Sequence, residues 1–179
     1  RMGKYGIGVS HCPAPAILGG FDVLDIPFMQ KSGVTVSLGC DGCSTNDSSN
    51  LLDSLRVAYL MQASKSKERH GSILPYDLLK IATVEGAKTL GRQEIGSLEP
   101  GKAADLFMIN TEILDMVGTV HDPCNVLGRT GVTGPVWLTM IDGKVVFKNG
   151  ELLNIDERKL ALEGEAVCTR VLREPCKAF

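Results

Sequence analysis

The sequence predicts an α/β chain that opens with part of a parallel sheet or barrel and ends in a small, mostly antiparallel β unit. Three observations predict it. Two short apolar runs, one spaced by glycine and one β-branched, each lead toward a stretch with helical spacing, the pattern of parallel βα units. After Gly91 the chain turns glycine- and turn-rich. Beyond that, apolar runs flank Asp142-Gly143, a strong short-range hairpin signal.

Taken in order, Tyr5 to His11 reads as a buried strand, and Asp22 to Ser32 as a helix closed by Gly33. Val34 to Leu38 is a second buried strand, ending at Gly39-Cys-Asp-Gly42. The polar loop Ser44 to Asn50 is rich in helix-capping residue types and leads into a helix over Leu51 to Lys65. A further helix is expected from Tyr76 to Leu90, stopped by Gly91. Ile95 to Asp105 is turn-rich, and Leu106 to Ile109 is a short strand. Val136 to Ile141 and Lys144 to Phe147 form the hairpin, Asn149-Gly150 a second turn, and Asp156 to Leu172 a closing helix before Pro175. The boundary falls near residues 91 to 95, giving units 1–93 and 94–179. Two βα units cannot close a barrel, so the first unit reads as part of something larger.

With 44% apolar and 22% charged residues and a net charge of −2, the chain has the composition of a folded globular protein. Acidic and basic residues are mixed along the chain without a basic stripe, which argues against nucleic acid as a partner. No apolar run approaches the roughly 18 residues of a membrane span, and no secretory segment follows the first residues. A cytoplasmic setting with no membrane partner is expected. The six cysteines, at 12, 40, 43, 124, 168 and 176, are scattered and read as reduced thiols. Cys40 and Cys43 form a C-x-x-C, but no second pair or suitably spaced histidines accompany it to build a structural zinc site.

The candidate functional residues cluster at the ends of the two strands. Asp41 follows the second strand, where either a turn aspartate before Gly42 or a metal-binding carboxylate suits the pattern. His11 ends the first strand beside Cys12-Pro13 and is expected at the barrel mouth, touching substrate or serving as a hydrogen-bonded structural histidine. Asn46 and Asp47 either shape the pocket or cap the following helix. His70 lies in a charged stretch and reads as solvated surface, and His121-Asp122-Pro123 reads as a turn.

Four stretches carry a resemblance that covers most of the chain. They are Val9-Ser-His-Cys-Pro13, Gly33-Val-Thr-Val-Ser-Leu-Gly-Cys-Asp-Gly42, Asn46-Asp-Ser-Ser-Asn50 and Ile95-Gly-Ser-Leu-Glu-Pro-Gly-Lys-Ala-Ala-Asp-Leu106. In their order and spacing the sequence resembles the C-terminal part of the amidohydrolase superfamily, in the branch of guanine and 8-oxoguanine deaminases and triazine hydrolases. The resemblance implies the last βα units of an incomplete (β/α)8 barrel, followed by the small antiparallel β unit and closing helix. It also implies one divalent metal, zinc or iron, completed by ligands outside this chain. Asp41 matches the family's aspartate after the eighth strand, both metal ligand and catalytic group. His11 and Asn46 are the expected substrate-binding residues. A carboxylate at such a position can hold the ion and accept a proton from an activated water.

The resemblance further implies a hydrolytic deaminase acting on a small nitrogen heterocycle such as an oxidised purine, a pterin or a hydroxytriazine. The expected partners are that substrate, the missing N-terminal part of the enzyme and a second copy in a homo-oligomer. Ring-opening or dechlorinating hydrolysis is the alternative, as is a non-catalytic assembly piece inactive on its own. Departures accompany the match. The three histidines, His11, His70 and His121, form no H-x-H, and Ala14 to Leu18 lacks the Ser-Asn pair many relatives carry there. The H-x-E of the cytidine-type zinc deaminases is also lacking.

Overall fold

The structure is a computed structural model that describes residues 1–46, 48–66, 73–132 and 134–173. The expectations for Asp47, His70, Pro175 and Cys176 lie outside the described residues.

Two sheets organise the chain. Strand β1 (Gly8–His11) pairs in parallel with β2 (Thr35–Leu38), from Gly8 opposite Thr35 to His11 opposite Leu38. Strands β3 (Leu106–Met108), β4 (Leu138–Ile141), β5 (Lys144–Lys148) and β6 (Glu151–Leu152) form an antiparallel sheet in that order. The β4–β5 turn places Asp142 and Gly143 at φ 48° and 74°, the left-handed pair that a tight two-residue hairpin requires.

The connection from β1 to β2 holds two short helices, α1 (Pro13–Leu18) and α2 (Ile26–Lys31). The helix expected over Asp22 to Ser32 starts later, because Asp25 caps it by accepting from the Phe28 amide at 2.9 Å. Its end follows the glycine rule. Gly33 sits at φ 77°, Val34 N–H donates to Met29 O at 3.1 Å, and Gly33 N–H to Gln30 O at 2.9 Å. Helix α1 was not expected. Proline at its first position costs no hydrogen bond there, so Pro13 starts a helix in a connection where the sequence signals none.

After β2 come α3 (Leu51–Lys65), α4 (Pro75–Ala82) and α5 (Val84–Thr89). The single helix expected over Tyr76 to Leu90 is broken at Thr83, whose φ of −117° and ψ of −85° leave the helical region. The Thr83 hydroxyl donates back to Leu79 O at 2.8 Å, local competition that β-branched hydroxyl residues offer a helix.

The core lies between β2 and this helical layer. Ile26, Val36, Leu38, Leu55, Ala58, Tyr59, Ile73, Leu78 and Ile81 pack together and are buried. Long-range side-chain hydrogen bonds tie connections to it. Gln62, 1% exposed, donates from Nε2 to Leu24 O at 2.6 Å. Arg56 of α3 donates to Arg129 O at 2.6 Å and to Thr130 O. The wide turn Val126–Thr130 is thereby held against α3 and α4. Helix α6 (Glu157–Arg173) closes the chain with Leu160, Leu162, Val167 and Val171 exposed. No helix among the described residues is long and apolar enough to cross a membrane.

Candidate functional site

Side chains alternate across a strand, and paired residues of parallel neighbours share a face. Val9 and His11 therefore lie on the face of Val36 and Leu38, which packs under the helices. Ser10, Ser37 and Gly39 lie on the other face. The ladder continues one step past β2, with Gly39 N–H donating to His11 O at 2.8 Å. A β-carbon on Gly39 would lie 2.6 Å from Ser10 Oγ and 3.0 Å from Cys12 Sγ. Only the missing side chain lets the hydroxyl and thiol close over this strand end.

His11 is 5% exposed, and its Nε2 is buried without a hydrogen-bond partner among the described residues. Burial lowers its pKa from the ordinary imidazole value, which favours the neutral ring.

Asp41 stands two residues beyond Gly39, exposed, at φ 63°. Non-glycine residues seldom adopt this region, and Asp and Asn do so most readily. Its Oδ1 accepts from Gly42 N–H at 2.7 Å, which fixes the carboxylate against its own loop. The Gly42 carbonyl accepts from the amides of Thr45 and Asn46, each at 3.0 Å, and from Thr45 Oγ at 3.0 Å. The residue before Asp41 is held as well. Asn46 Nδ2 donates to Cys40 O at 2.9 Å, and the Ser54 hydroxyl of α3 lies 3.5 Å from Cys40 Sγ. Asn46 itself is 7% exposed. The cap of α3 is Asn50, whose Oδ1 accepts from Leu52 N–H at 3.0 Å.

Asp41 fits a hard or borderline divalent ion as one oxygen ligand, since Oδ2 has no partner among the described residues. No group of three or more His, Cys, Asp or Glu side chains that could hold a metal occurs among the described residues. Further ligands would have to come from elsewhere. Cys12, Cys40, Cys43, Cys124 and Cys168 are free thiols. His121 ends the turn Thr119–His121 and is exposed, while Lys102 binds Ser97 and Glu99 within its own turn. A surface cleft of about 430 Å³ between α2 and α4, lined by Pro27, Gln30, Leu74, Asp77 and Lys80, does not include Asp41.

The amidohydrolase family model matches residues 1–146. The chain belongs to the amidohydrolase family. Within it, the chain is 45% identical over 173 residues to hydroxydechloroatrazine ethylaminohydrolase of Pseudomonas sp. (strain ADP), covering 96% of this chain and 36% of that protein. It is 32% identical to a 5-methylthioadenosine/S-adenosylhomocysteine deaminase of Symbiobacterium thermophilum, covering 97% of this chain and 40% of that protein. Among solved structures, atrazine chlorohydrolase TrzN of Arthrobacter aurescens TC1, complexed with zinc, superposes with a TM-score of 0.84 at 31% identity. That match covers 92% of this chain and 36% of the other. The chain thus spans well under half the length of these amidohydrolase relatives.

Ser10 and Cys12 were not singled out from sequence, although the alternation Val9-Ser10-His11-Cys12 carries the signal. Their shared face with Gly39 emerges only once β1 and β2 are paired.

Proposed function

We propose that this chain is the C-terminal part of a metal-dependent hydrolase that releases an amine from a substituted nitrogen heterocycle. Residues 1–93 would complete its barrel, and residues 94–179 would form the accompanying β unit. The observation that carries the reading is Asp41: an exposed carboxylate in a left-handed loop at the C-terminal end of β2, in a chain of this family. Barrel enzymes keep their chemistry at that end of their strands. The remaining ligands would lie in the part of the relatives' length that this chain does not span.

A divalent ion held there would supply Lewis acidity. Asp41 would offer the ion Oδ2, the oxygen that Gly42 N–H does not engage, and its carboxylate would take up a proton from the water and return it to the departing nitrogen. Overall, water adds its oxygen to the ring carbon, the carbon–nitrogen bond breaks and the amine leaves with the proton. His11 and Asn46 enter the proposal in supporting roles, the first from behind the strand end, the second from within the Asp41 loop. The activities of the relatives favour aminotriazine and adenosine-type rings over oxidised purines or pterins. The likeness to a chlorohydrolase favours halide displacement as the second reading.

The test is amine and chloride release by the full-length enzyme over hydroxytriazines, chlorotriazines and adenosine derivatives, with Asp41→Asn beside it. Amine release lost in the variant supports the proposal. Chloride release alone moves the assignment to dechlorination, and undiminished turnover by Asp41→Asn refutes the role of Asp41.

A further inference from the structure

We propose that Asn46 is a positioning residue for Asp41, fixing the Cys40 carbonyl and with it the peptide from which the carboxylate projects. This rests on the reading of Asp41 as a metal ligand.

Asn46 is an unusual loop residue. Cys43, Ser44 and Thr45 before it are exposed, yet Asn46 is 7% exposed. Asparagine is ordinarily a surface residue, and a buried amide costs free energy unless it is hydrogen-bonded. Here the bond runs from Nδ2 to Cys40 O at 2.9 Å, across six positions of sequence. The same residue's backbone N–H donates to Gly42 O at 3.0 Å. Asn46 thus grips the chain on both sides of Asp41, through Cys40 and through Gly42.

Such a grip has a purpose at this position. Asp41 lies at φ 63°, a region that non-glycine residues visit seldom and aspartate more readily than most, so contacts on both sides of it decide whether the loop stays there. Cys40 has a second anchor in Ser54, which is 1% exposed on α3. The carboxylate itself turns back on Gly42 N–H at 2.7 Å. Helix capping does not explain Asn46, because Asn50 performs it. Groups that orient a metal ligand typically change metal affinity about 10- to 100-fold when removed.

The experiment measures zinc affinity of the full-length enzyme by competition with a chromophoric chelator. Asn46→Ala, Asn46→Asp and Asp41→Asn are compared with the parent, and each metal-free protein is melted alongside. Asn46→Asp keeps the size of the side chain but loses the amide donor. The expected result is zinc affinity weakened about 10- to 100-fold in both Asn46 variants while the metal-free proteins stay folded. Unchanged zinc affinity in a folded Asn46 variant would overturn the proposal, even with a lowered melting temperature. Failure of both variants to fold would also overturn it, assigning Asn46 to loop stability alone. If Asp41→Asn binds zinc as tightly as the parent, the metal-ligand reading falls first and this inference falls with it. If only Asp41→Asn loses zinc, this inference fails alone.

Discussion

The guanidinium of Arg56 donates to the carbonyl of Arg129 at 2.6 Å, joining helix α3 to a turn 73 residues further along the chain. Thr130 O takes a second bond from the same nitrogen, and a β-carbon on Gly131 would lie 2.7 Å from Arg56 Cδ. The charged donor supplies partners for carbonyls at the end of the Val126–Thr130 turn that no helix continues to satisfy. Arg56→Met keeps much of the apolar stem and removes the donors. It should lower stability by about 1.5 kcal/mol, the scale of a hydrogen bond from a charged group. Urea unfolding of the full-length protein checks this, and an unchanged midpoint would show that the turn holds without Arg56.

Gly39→Ala should destabilise the strand ends. The new carbon meets Ser10 Oγ at 2.6 Å and Cys12 Sγ at 3.0 Å, and overpacking of this kind costs about 1–3 kcal/mol. Adding Ser10→Ala removes the nearer obstacle, so the double variant should recover part of the loss. Thermal melts of the two single variants and the double variant give the coupling. Strict additivity would mean that Ser10 and Gly39 do not press on one another.

Gln62→Leu should be costlier than an ordinary surface change. It leaves Leu24 O without the donor that now reaches it at 2.6 Å, in a place where Gln62 is 1% exposed. Leu24 is half-buried, so the unsatisfied carbonyl should cost about 1 kcal/mol, the low end of the range for buried acceptors. Chemical denaturation measures it, and amide exchange around Leu24 should quicken in the variant.

Acid should weaken the fold through His11. Burial lowers its folded-state pKa, while the unfolded chain retains the ordinary value of about 6.5. Below that pH the unfolded state binds a proton that the folded state resists, so stability falls as pH drops towards the folded pKa. Above about pH 6.5 both states are neutral and His11 adds no slope. Melting temperatures from pH 8 to 5, compared with His11→Gln, isolate the contribution. A variant with the parent's full acid slope would assign the effect to other groups.

The legible parts of this chain were those with local causes. Val34 to Leu38 is β-branched and apolar, and β2 forms within it. Gly33 past a helix end and Asp142-Gly143 between apolar runs did what their backbone freedom allows. The Asp41 loop was legible as a place but not as a mechanism. Two asparagines, Asn46 and Asn50, offer the same chemistry, and only the fold decides that Asn50 caps α3 while Asn46 turns inward to Cys40. Pro13 and Pro15 hid helix α1, because proline reads as a breaker unless its place in the first turn is known. The facing of His11 depended on pairing with β2, and the bond from Arg56 to Arg129 spans a separation that no local pattern encodes.

The left-handed backbone of Asp41 also bears on how such a chain can change by descent. At φ 63°, aspartate, asparagine and glycine rest with little strain, while most other residues do not. Single-nucleotide changes in an aspartate codon reach both asparagine and glycine. The easiest exits from Asp41 therefore keep the loop's shape and discard its charge. On the proposed reading of Asp41 as a metal ligand, a descendant with asparagine or glycine at this position would keep the inherited fold without the metal chemistry and be open to other uses.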